Sequence, residues 1–252
     1  MRTRTSRGAG RSVLVTGGNH GLGLVIARTL AADGDTVAVT YLSGRLPKGV
    51  LGVPAYLGDP GSVDKVFDTV EEEQGPVEVL VVNACTIHDT LMRSMPTWFY
   101  ERTLTENLNR ARWMMGRVIP GMVHRGGGRI IMVASAATLD GEAEWEAGTG
   151  HLELTRAVAA EVAPYGITCN LVRPDLPPSG QGRVERTGER YGWMADEVPA
   201  SAGEAAVAAT VALLASPSSG GITGTAVPVV GASGIEATGV VASSAGRAGT
   251  RA

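Results

Sequence analysis

Lysine and cysteine are the scarcest functional residues in this chain of 252 residues. The only lysines are Lys48 and Lys65, so any chemistry that needs a lysine later in the chain is excluded. The two cysteines, Cys85 and Cys169, exclude a disulfide framework and leave no metal-ligand spacing. We therefore expect no bound metal, and a core large enough to need no covalent staple.

Long apolar runs and a strong excess of charge are also missing. No apolar run approaches the roughly 18 residues of a membrane span, and no apolar stretch follows the basic N-terminus as it would in a signal peptide. A net charge of −3 argues against a nucleic-acid binder. An apolar content of 44% is ordinary for a globular protein. These features predict a cytoplasmic globular protein whose partners are neither membranes nor nucleic acids.

Short β-branched runs alternate with stretches of helical apolar periodicity along most of the chain. The strand-like runs are 12–16, 36–40, 78–82, 129–133, 167–172 and 225–230, and the helix-like stretches are about 21–32, 60–74, 97–124, 151–163 and 203–214. This alternation is typical of βαβ units whose strands are covered on both faces. It predicts an α/β fold with a single Rossmann-type, doubly wound parallel sheet.

One domain is expected over residues 11–235. The flanking segments 1–10 and 236–252 are small, polar and without apolar periodicity, which predicts flexible tails. The segment 173–200 is rich in proline and glycine and too long for an ordinary connection, so we interpret it as a lid or a disordered excursion.

A glycine-rich loop, GGNHGLG at residues 17–23, follows the first predicted strand and precedes an apolar-patterned helix. Gly17 allows a tight turn, Gly21 lets the backbone approach a diphosphate, and Gly23 lets the helix pack close to the sheet. The N-terminus of the helix then offers N–H groups to an anion. The motif predicts the fold, although a loop that only turns the chain would need no bound nucleotide.

Several motifs in order resemble those of the short-chain dehydrogenase/reductase family. They are TGxxxGxG at the loop, VVNAC at 81–85, Asn107, RIIMVAS ending at Ser135, and VRPD at 172–175. Over residues 11–231 the sequence resembles FabG-type 3-oxoacyl-carrier-protein reductases, in particular their MabA branch. The resemblance implies the cofactor NADP(H), bound by Thr16, Gly17, Gly21, Leu22, Gly23, Asn83 and Ala84.

The resemblance also implies a catalytic tetrad of asparagine, serine, tyrosine and lysine. Asn107 and Ser135 fall on the first two positions, but the tyrosine falls on Glu144 and the lysine on Gly148. No tyrosine stands between residues 100 and 165, so the loss does not depend on the alignment. A glutamate with a pKa of about 4 is ionised at neutral pH, and only burial would raise the pKa enough for proton donation. Ser135, Asn107 and Glu144 are the candidate catalytic residues.

Other positions at which the resemblance implies cofactor contacts are changed as well. Leu42 replaces the phosphate-binding arginine after the second strand, and Arg45 is near enough to substitute for it. Tyr56 stands in place of the acid that faces the adenine. Cys85 replaces a glycine along the cofactor, and Asp175 brings a carboxylate toward the nicotinamide. Together these changes predict weak NADPH binding.

The segment 140–150 is a poor start for a helix. Glu142 and Glu146 put like charges at a spacing of four residues. Gly148 and Gly150 add the backbone freedom that disfavours helix. We therefore expect the first turns of the fourth helix to be frayed or remodelled.

Three functions remain compatible with these residues. The first is a non-reducing or assisting subunit of fatty-acid or polyketide-type metabolism. The second is a repurposed non-redox acid–base enzyme, such as a cyclase, isomerase or dehydratase, acting on a carrier-bound acyl or polyketide substrate. The third is an atypical NADPH-dependent ketoreductase.

Association is expected with a second copy, or with an active reductase or pathway enzyme. The helices around 97–124 and 151–163 are the interface helices that the resemblance implies. Their expected contact surface is apolar and includes Trp113, Met114, Met115, Leu152, Leu154, Val158, Ala159 and Val162.

Overall fold

Seven parallel strands form one sheet in a computed structural model that describes residues 10–83, 97–133, 142–175 and 201–230. The strands are β1 (Ser12–Val15), β2 (Thr36–Tyr41), β3 (Leu51–Pro54), β4 (Val79–Val82), β5 (Gly128–Val133), β6 (Ile167–Asp175) and β7 (Ala226–Val230). The helices are α1 (Gly21–Ala32), α2 (Pro60–Gln74), α3 (Thr97–Arg125), α4 (Glu142–Val162) and α5 (Ala202–Ala215). The strand order is β3-β2-β1-β4-β5-β6-β7. The predicted Rossmann-type parallel sheet is confirmed.

The edge strand β3 is the element that the sequence pattern did not predict. It is four residues long and includes Gly52 and Pro54, which are both poor strand formers. The strand forms because it pairs with β2, Ala38 opposite Leu51 and Tyr41 opposite Pro54. A proline is tolerated there because an edge strand has only one neighbour.

Several predicted features lie outside the described residues. They are the tails, most of the lid segment, the site residues Ala84 and Ser135, and the cysteine Cys85. The domain limits at 11–235 therefore stay a prediction. The first three residues of the predicted lid belong to β6, which extends through Asp175 and pairs with β7.

Two apolar clusters cover the two faces of the sheet. Along β4 the side chains alternate, since Leu80 belongs to the cluster that contains Phe67 of α2, and Val81 belongs to the cluster that contains Ile26 of α1. The side chains of Leu80, Val81 and Phe67 are all fully buried. A strand with both faces buried reads as a continuous apolar run, which is why VLVV was recognisable in the sequence.

The expectation of frayed turns at 140–150 is wrong for the backbone of α4, which is helical from Glu142 onward. Gly150 packs against α3, where an added Cβ would lie 3.3 Å from Cδ1 of Leu108. A like-charge pair costs a helix about 0.2–0.5 kcal/mol, and each glycine costs about 1 kcal/mol relative to alanine. Packing against a neighbouring helix offsets such costs.

The predicted apolar surface of α3 is largely wrong. Met114 and Met115 are 0% and 1% exposed and belong to the core cluster beside Phe67. Trp113 is only partly buried against the same cluster. The reason is the helical period: positions 111, 114, 115, 118 and 122 form one stripe that faces the sheet, and this stripe takes both methionines into the monomer.

Truncation of Met114 tests this assignment. We expect Met114→Ala to lower the free energy of unfolding by about 2–5 kcal/mol, the cost of a cavity in a closed core. The loss, measured by denaturant unfolding, should be the same at low and high protein concentration. A loss that disappears on dilution would mean that the methionine serves an interface between copies.

Candidate functional site

The carboxyl ends of β1 and β4 form the centre of the candidate site. From β1 the chain continues to β2 on one side, whereas β4 lies on the other side of β1. Such a reversal of strand order leaves a crevice, and ligands of open α/β sheets bind there. Thr16 and Asn83 are the residues that follow these two strands.

The glycine loop turns tightly between β1 and α1. Gly17 and Gly21 have φ values of 61° and 49°, which favour glycine. The backbone N–H of Gly17 donates to Oγ1 of Thr40 at 3.0 Å, and that of Gly18 donates to the carbonyl of Thr40 at 3.1 Å. The loop is thus fastened to the end of β2, and the predicted tight turn at Gly17 is confirmed.

Gly23 and Asn83 close the loop from the other side. A Cβ on Gly23 would collide with the carbonyl oxygen of Gly17 and would lie 2.7 Å from Nδ2 of Asn83. That amide nitrogen donates to the carbonyls of Thr16 at 3.2 Å and Gly17 at 3.4 Å, and the backbone N–H of Asn83 donates to Oγ1 of Thr16 at 2.9 Å. The structure therefore brings four of the predicted cofactor-binding residues together.

The first turn of α1 presents backbone N–H groups at this loop. No side chain caps the helix, and no acidic residue stands in its first turn. The N–H groups of Gly21, Leu22 and Gly23 precede the first possible intrahelical bond, so they carry the positive end of the helix dipole. Desolvation lowers the pKa of His20, the N-cap residue, from its usual value. We call these residues, Gly17 to Gly23, the glycine cradle.

The loop after β2 lies against the glycine cradle. Asn19, which is buried, donates from Nδ2 to the carbonyl of Ser43 at 2.7 Å. Leu42 is 73% exposed, so an apolar side chain occupies the position for which the resemblance implied an arginine. Arg45 is exposed, and no hydrogen bond or ion pair joins it to the described residues.

A buried arginine that the sequence analysis missed joins α3 to the loop after β3. Arg110 is 7% exposed; its Nε donates to the carbonyl of Leu57 at 3.1 Å, and its guanidinium carbon lies 5.6 Å from the centre of the Tyr56 ring. Its NH1 donates to Oδ1 of Asn107 at 3.2 Å. The candidate catalytic Asn107 thus accepts a hydrogen bond from Arg110. The signal in the sequence that could have revealed Arg110 was a basic residue directly before Ala111, which belongs to the apolar stripe of α3.

The acid nearest to Tyr56 in sequence serves a different purpose. Asp59 caps α2, and its carboxylate accepts from the backbone N–H of Ser62 at 3.0 Å and from the hydroxyl of Ser62 at 2.7 Å. These hydrogen bonds hold the pKa of Asp59 below its usual value. The cap therefore stabilises the fold above the pKa of an unfolded aspartate and is lost as the pH falls through the lowered pKa.

The candidate catalytic residues are only partly brought together. Asn107 lies on α3, and Leu108 beside it contacts Gly150 of α4. Glu144 lies on α4 six residues before Gly150, which corresponds to about 9 Å along the helix axis. The side chain of Glu144 and all of Ser135 lie outside the described residues.

Cys169 is a free cysteine that lies buried in β6. Burial raises the pKa of its thiol to about 12, so this cysteine is a small buried hydrophobe and not a nucleophile. In the described part of the chain no three histidine, cysteine or acidic side chains are grouped as metal ligands would be. None of the helices described above is long and apolar enough for a membrane span.

Comparison with known proteins finds one family and a set of relatives. Residues 11–179 match the family model for short chain dehydrogenase. The 3-oxoacyl-[acyl-carrier-protein] reductase MabA of Mycobacterium tuberculosis is 36% identical over 236 residues, which are 89% of this chain and 93% of the relative. The reductase FabG of Escherichia coli is 32% identical over 239 residues, 88% and 96% of the two chains. The similarity thus extends far beyond the glycine loop.

Substitution of Gly23 tests the glycine cradle. We expect Gly23→Ala to lower the free energy of unfolding by about 1–3 kcal/mol, because its methyl group overpacks the carbonyl of Gly17. Nucleotide affinity measured by calorimetry should fall as well. The matched control is Gly116→Ala on α3, where an added Cβ meets nothing within 4 Å; this variant should be neutral or stabilised by up to about 1 kcal/mol. Equal stability of the two variants would contradict the role of Gly23.

Proposed function

The chain belongs to the short-chain dehydrogenase/reductase family and is FabG-like, and from that premise we propose that it is a degenerate member that does not reduce a carbonyl. In this proposal it is a non-reducing or assisting subunit of fatty-acid or polyketide-type metabolism. The substrate is an acyl or polyketide group on a carrier protein, since the relatives are named as acyl-carrier-protein reductases. The expected compartment is the cytoplasm.

The loss of the proton donor on α4 carries this proposal. By the resemblance, a tyrosine is expected at Glu144 and a lysine at Gly148. The helix is continuous through both positions, so they keep the spacing of four residues on one helix face. An ionised carboxylate and a glycine offer neither the proton nor the positive charge that the carbonyl oxygen needs during reduction.

Arg156 further along α4 is no substitute for the lysine. It is exposed and pairs with Glu153 at 3.0 Å. Thr155, between them in sequence, points the other way: it is fully buried, and its hydroxyl donates to the carbonyl of His151 at 2.7 Å. The polar groups of this turn therefore have partners within the helix.

The residues fit one part of a nicotinamide dinucleotide and not another. The open space beside Gly21, where an added Cβ would meet nothing within 4 Å, and the uncapped first turn of α1 suit a diphosphate held by the N–H groups of Gly21, Leu22 and Gly23. Leu42, exposed and apolar, does not suit the phosphorylated ribose of NADP(H). The dinucleotide would supply a hydride when bound. This chain's residues would bind and orient it, but no tyrosine is there to protonate the product.

Two other functions have one observation each in their favour. The intact glycine cradle favours an atypical NADPH-dependent ketoreductase in which water or another group donates the proton. The contact of Leu108 with Gly150 favours a non-redox acid–base enzyme, because it brings α4, which carries Glu144, toward the turn of Asn107.

A reductase assay tests the proposed function. With an acetoacetyl thioester and NADPH we expect turnover at least about 100-fold below that of a FabG-type reductase run alongside, since acid–base assistance contributes about 10²–10⁴-fold. A parallel titration of NADPH, followed by its fluorescence, should give a dissociation constant above the low micromolar range.

Turnover near that of the reductase control would contradict the proposal. If that turnover were lost in Glu144→Gln and kept in the control Glu153→Gln, the glutamate at 144 would be the proton donor. Glu153 is a suitable control because it is exposed on the same helix.

Association through α3 and α4 is the second part of the proposal. Four of the expected contact residues do not contribute because they are buried in the core, namely Met114, Met115, Ala159 and Val162. Trp113, Leu154 and Val158 are only partly buried against the monomer core. A groove of about 320 Å³ between α2 and α3 includes Trp113 and Gly116 in its wall. Trp113 in this groove, together with the partly buried Leu154 and Val158 on α4, supports contact with a second copy or with an active reductase.

Val158→Glu tests the association. We expect this variant to lower the oligomeric state in sedimentation velocity, because a charge in an apolar contact is costly to desolvate. Ala157→Glu, an exposed neighbour, is the matched control and should leave the oligomer intact. Circular dichroism checks that both variants fold. A monomeric parent chain that also fails to bind a FabG-type reductase would contradict the assisting role and favour the repurposed enzyme.

A further inference from the structure

One face of α4 packs on the sheet and includes a histidine near the level at which β5 ends. Thr155 identifies this face, because it is fully buried and its hydroxyl contacts Sδ of Met132 in β5 at 3.3 Å. Ala159 and Val162 continue the same face and are buried as well. His151 lies one helical turn before Thr155 and therefore belongs to this inner face of α4.

The amino-terminal turns of α4 extend past the end of β5. The helix connects two adjacent parallel strands, β5 and β6, so it runs antiparallel to them. Only about 3 Å of strand remains beyond Met132, whereas about 20 Å of helix lies between Thr155 and Glu142. His151 is about 6 Å from Thr155 along the axis. It is therefore the first residue of the inner face that lies beyond the end of the strand.

Helix geometry directs the imidazole of His151 toward the space above the sheet. Each Cα–Cβ bond in an α-helix is tilted toward the N-terminus, so a side chain covers the turn before its own residue. On the inner face that turn contains Gly148, which has no side chain. His151 is half-buried, whereas Thr155 within the packed part of the face is fully buried. Ligands of α/β sheets bind at the carboxyl ends of the strands, which is where this imidazole lies.

The turn of Asn107 lies beside His151 on the α3 side. Gly150, the neighbour of His151, packs against Leu108, where an added Cβ would lie 3.3 Å from Cδ1. Oδ1 of Asn107 accepts a hydrogen bond from Arg110 at 3.2 Å, which fixes the amide of this turn. The candidate catalytic asparagine and the histidine therefore border the same space between α3 and α4.

A histidine can perform a proton transfer that the carboxylate at position 144 cannot. The charge of a histidine side chain ordinarily changes between pH 5 and 8, so an imidazole can both accept and return a proton near neutral pH. An ionised carboxylate accepts a proton only weakly at that pH and has none to give. His151 therefore adds an acid–base group to the helix from which the tyrosine and lysine are missing.

We propose that His151 is the acid–base residue of this cleft and that it moves a proton at C2 of a 3-oxoacyl thioester. The imidazole nitrogen takes the C2 proton, the electron pair of the C–H bond forms the C2–C3 double bond, and the π pair of the C3 carbonyl moves to its oxygen. The imidazolium then returns a proton to C2, so nothing is oxidised or reduced. Two flanking carbonyls make the C2 proton acidic enough for an imidazole. This inference rests on the proposed function, which takes the chain as non-reducing and its substrate as a carrier-bound acyl group.

Deuterium exchange on the full chain tests this inference without a nicotinamide. Acetoacetyl pantetheine in heavy water exchanges its C2 protons, and proton NMR follows the rate with and without the protein. We expect the protein to raise the rate at least about tenfold above that of the buffer, since acid–base assistance contributes about 10²–10⁴-fold.

His151→Gln should bring the exchange rate back to that of the buffer, because an amide forms hydrogen bonds but takes up no proton. Its affinity for the thioester, measured by calorimetry, should stay within about threefold of the parent value. His151→Asn repeats the test with a smaller amide if the glutamine variant does not fold. The matched control is His124→Gln, an exposed histidine in the last turn of α3, before β5 begins. Thermal unfolding of each variant shows that a lost rate is not a lost fold.

The outcomes decide the inference separately from the proposed function. No exchange above the buffer rate in the parent chain, or an unchanged rate in His151→Gln, would overturn it. A rate that is lost in Glu144→Gln but kept in His151→Gln would assign the proton transfer to the glutamate instead. A rate that falls only in proportion to a lost affinity would reduce His151 to a structural role. Reductase turnover of the parent chain would overturn the proposed function alone, since the exchange assay contains no nicotinamide.

Discussion

The close approach of α1 to the end of β1 is the constraint on which the site depends. Gly23 meets the carbonyl of Gly17 with no room for a Cβ, and the amide of Asn83 ties β4 to the same turn. This contact sets the angle at which α1 leaves the sheet, and therefore the direction of its uncapped N–H groups. The loop after β2 is then drawn in by Asn19. The absence of a side chain at Gly23 thus helps to position the ends of β1, β2 and β4.

The same constraint explains how the glycine cradle can keep its structure without a ligand. The contacts of Gly23 and Asn83 are made within the chain itself, so they support the packing of α1 whether or not a ligand is bound. The chemistry of a reductase would depend on a different element, α4, which includes Glu144 and Gly148. Fold and reaction are therefore separable in this architecture, and the family membership of the chain identifies the first more directly than the second.

The residues of α3 divide into side chains that are buried in the core and side chains that remain at the surface. Met114 and Met115 fill the core, Arg110 reaches from the same face to the loop after β3, and Trp113 remains at the surface beside the groove. A single helix thus supports the sheet, contacts Tyr56 and leaves the apolar side chain of Trp113 only partly buried. The interaction of Arg110 with Asn107 further means that the asparagine is part of this support.

The sequence alone was enough to predict the parallel sheet and the glycine loop. It was also enough to show that the tyrosine and lysine implied by the family resemblance are missing. Buried parallel strands are continuous apolar runs, the loop depends on local backbone freedom, and a residue count needs no structure. Tertiary structure alone decided β3, the core position of Met114 and the contact of Arg110 with Tyr56. Arg110 meets Leu57 across 53 positions of chain, and β3 exists only because β2 lies beside it. Local periodicity carries no information about contacts at that distance, because they are set by how the helices pack on the sheet.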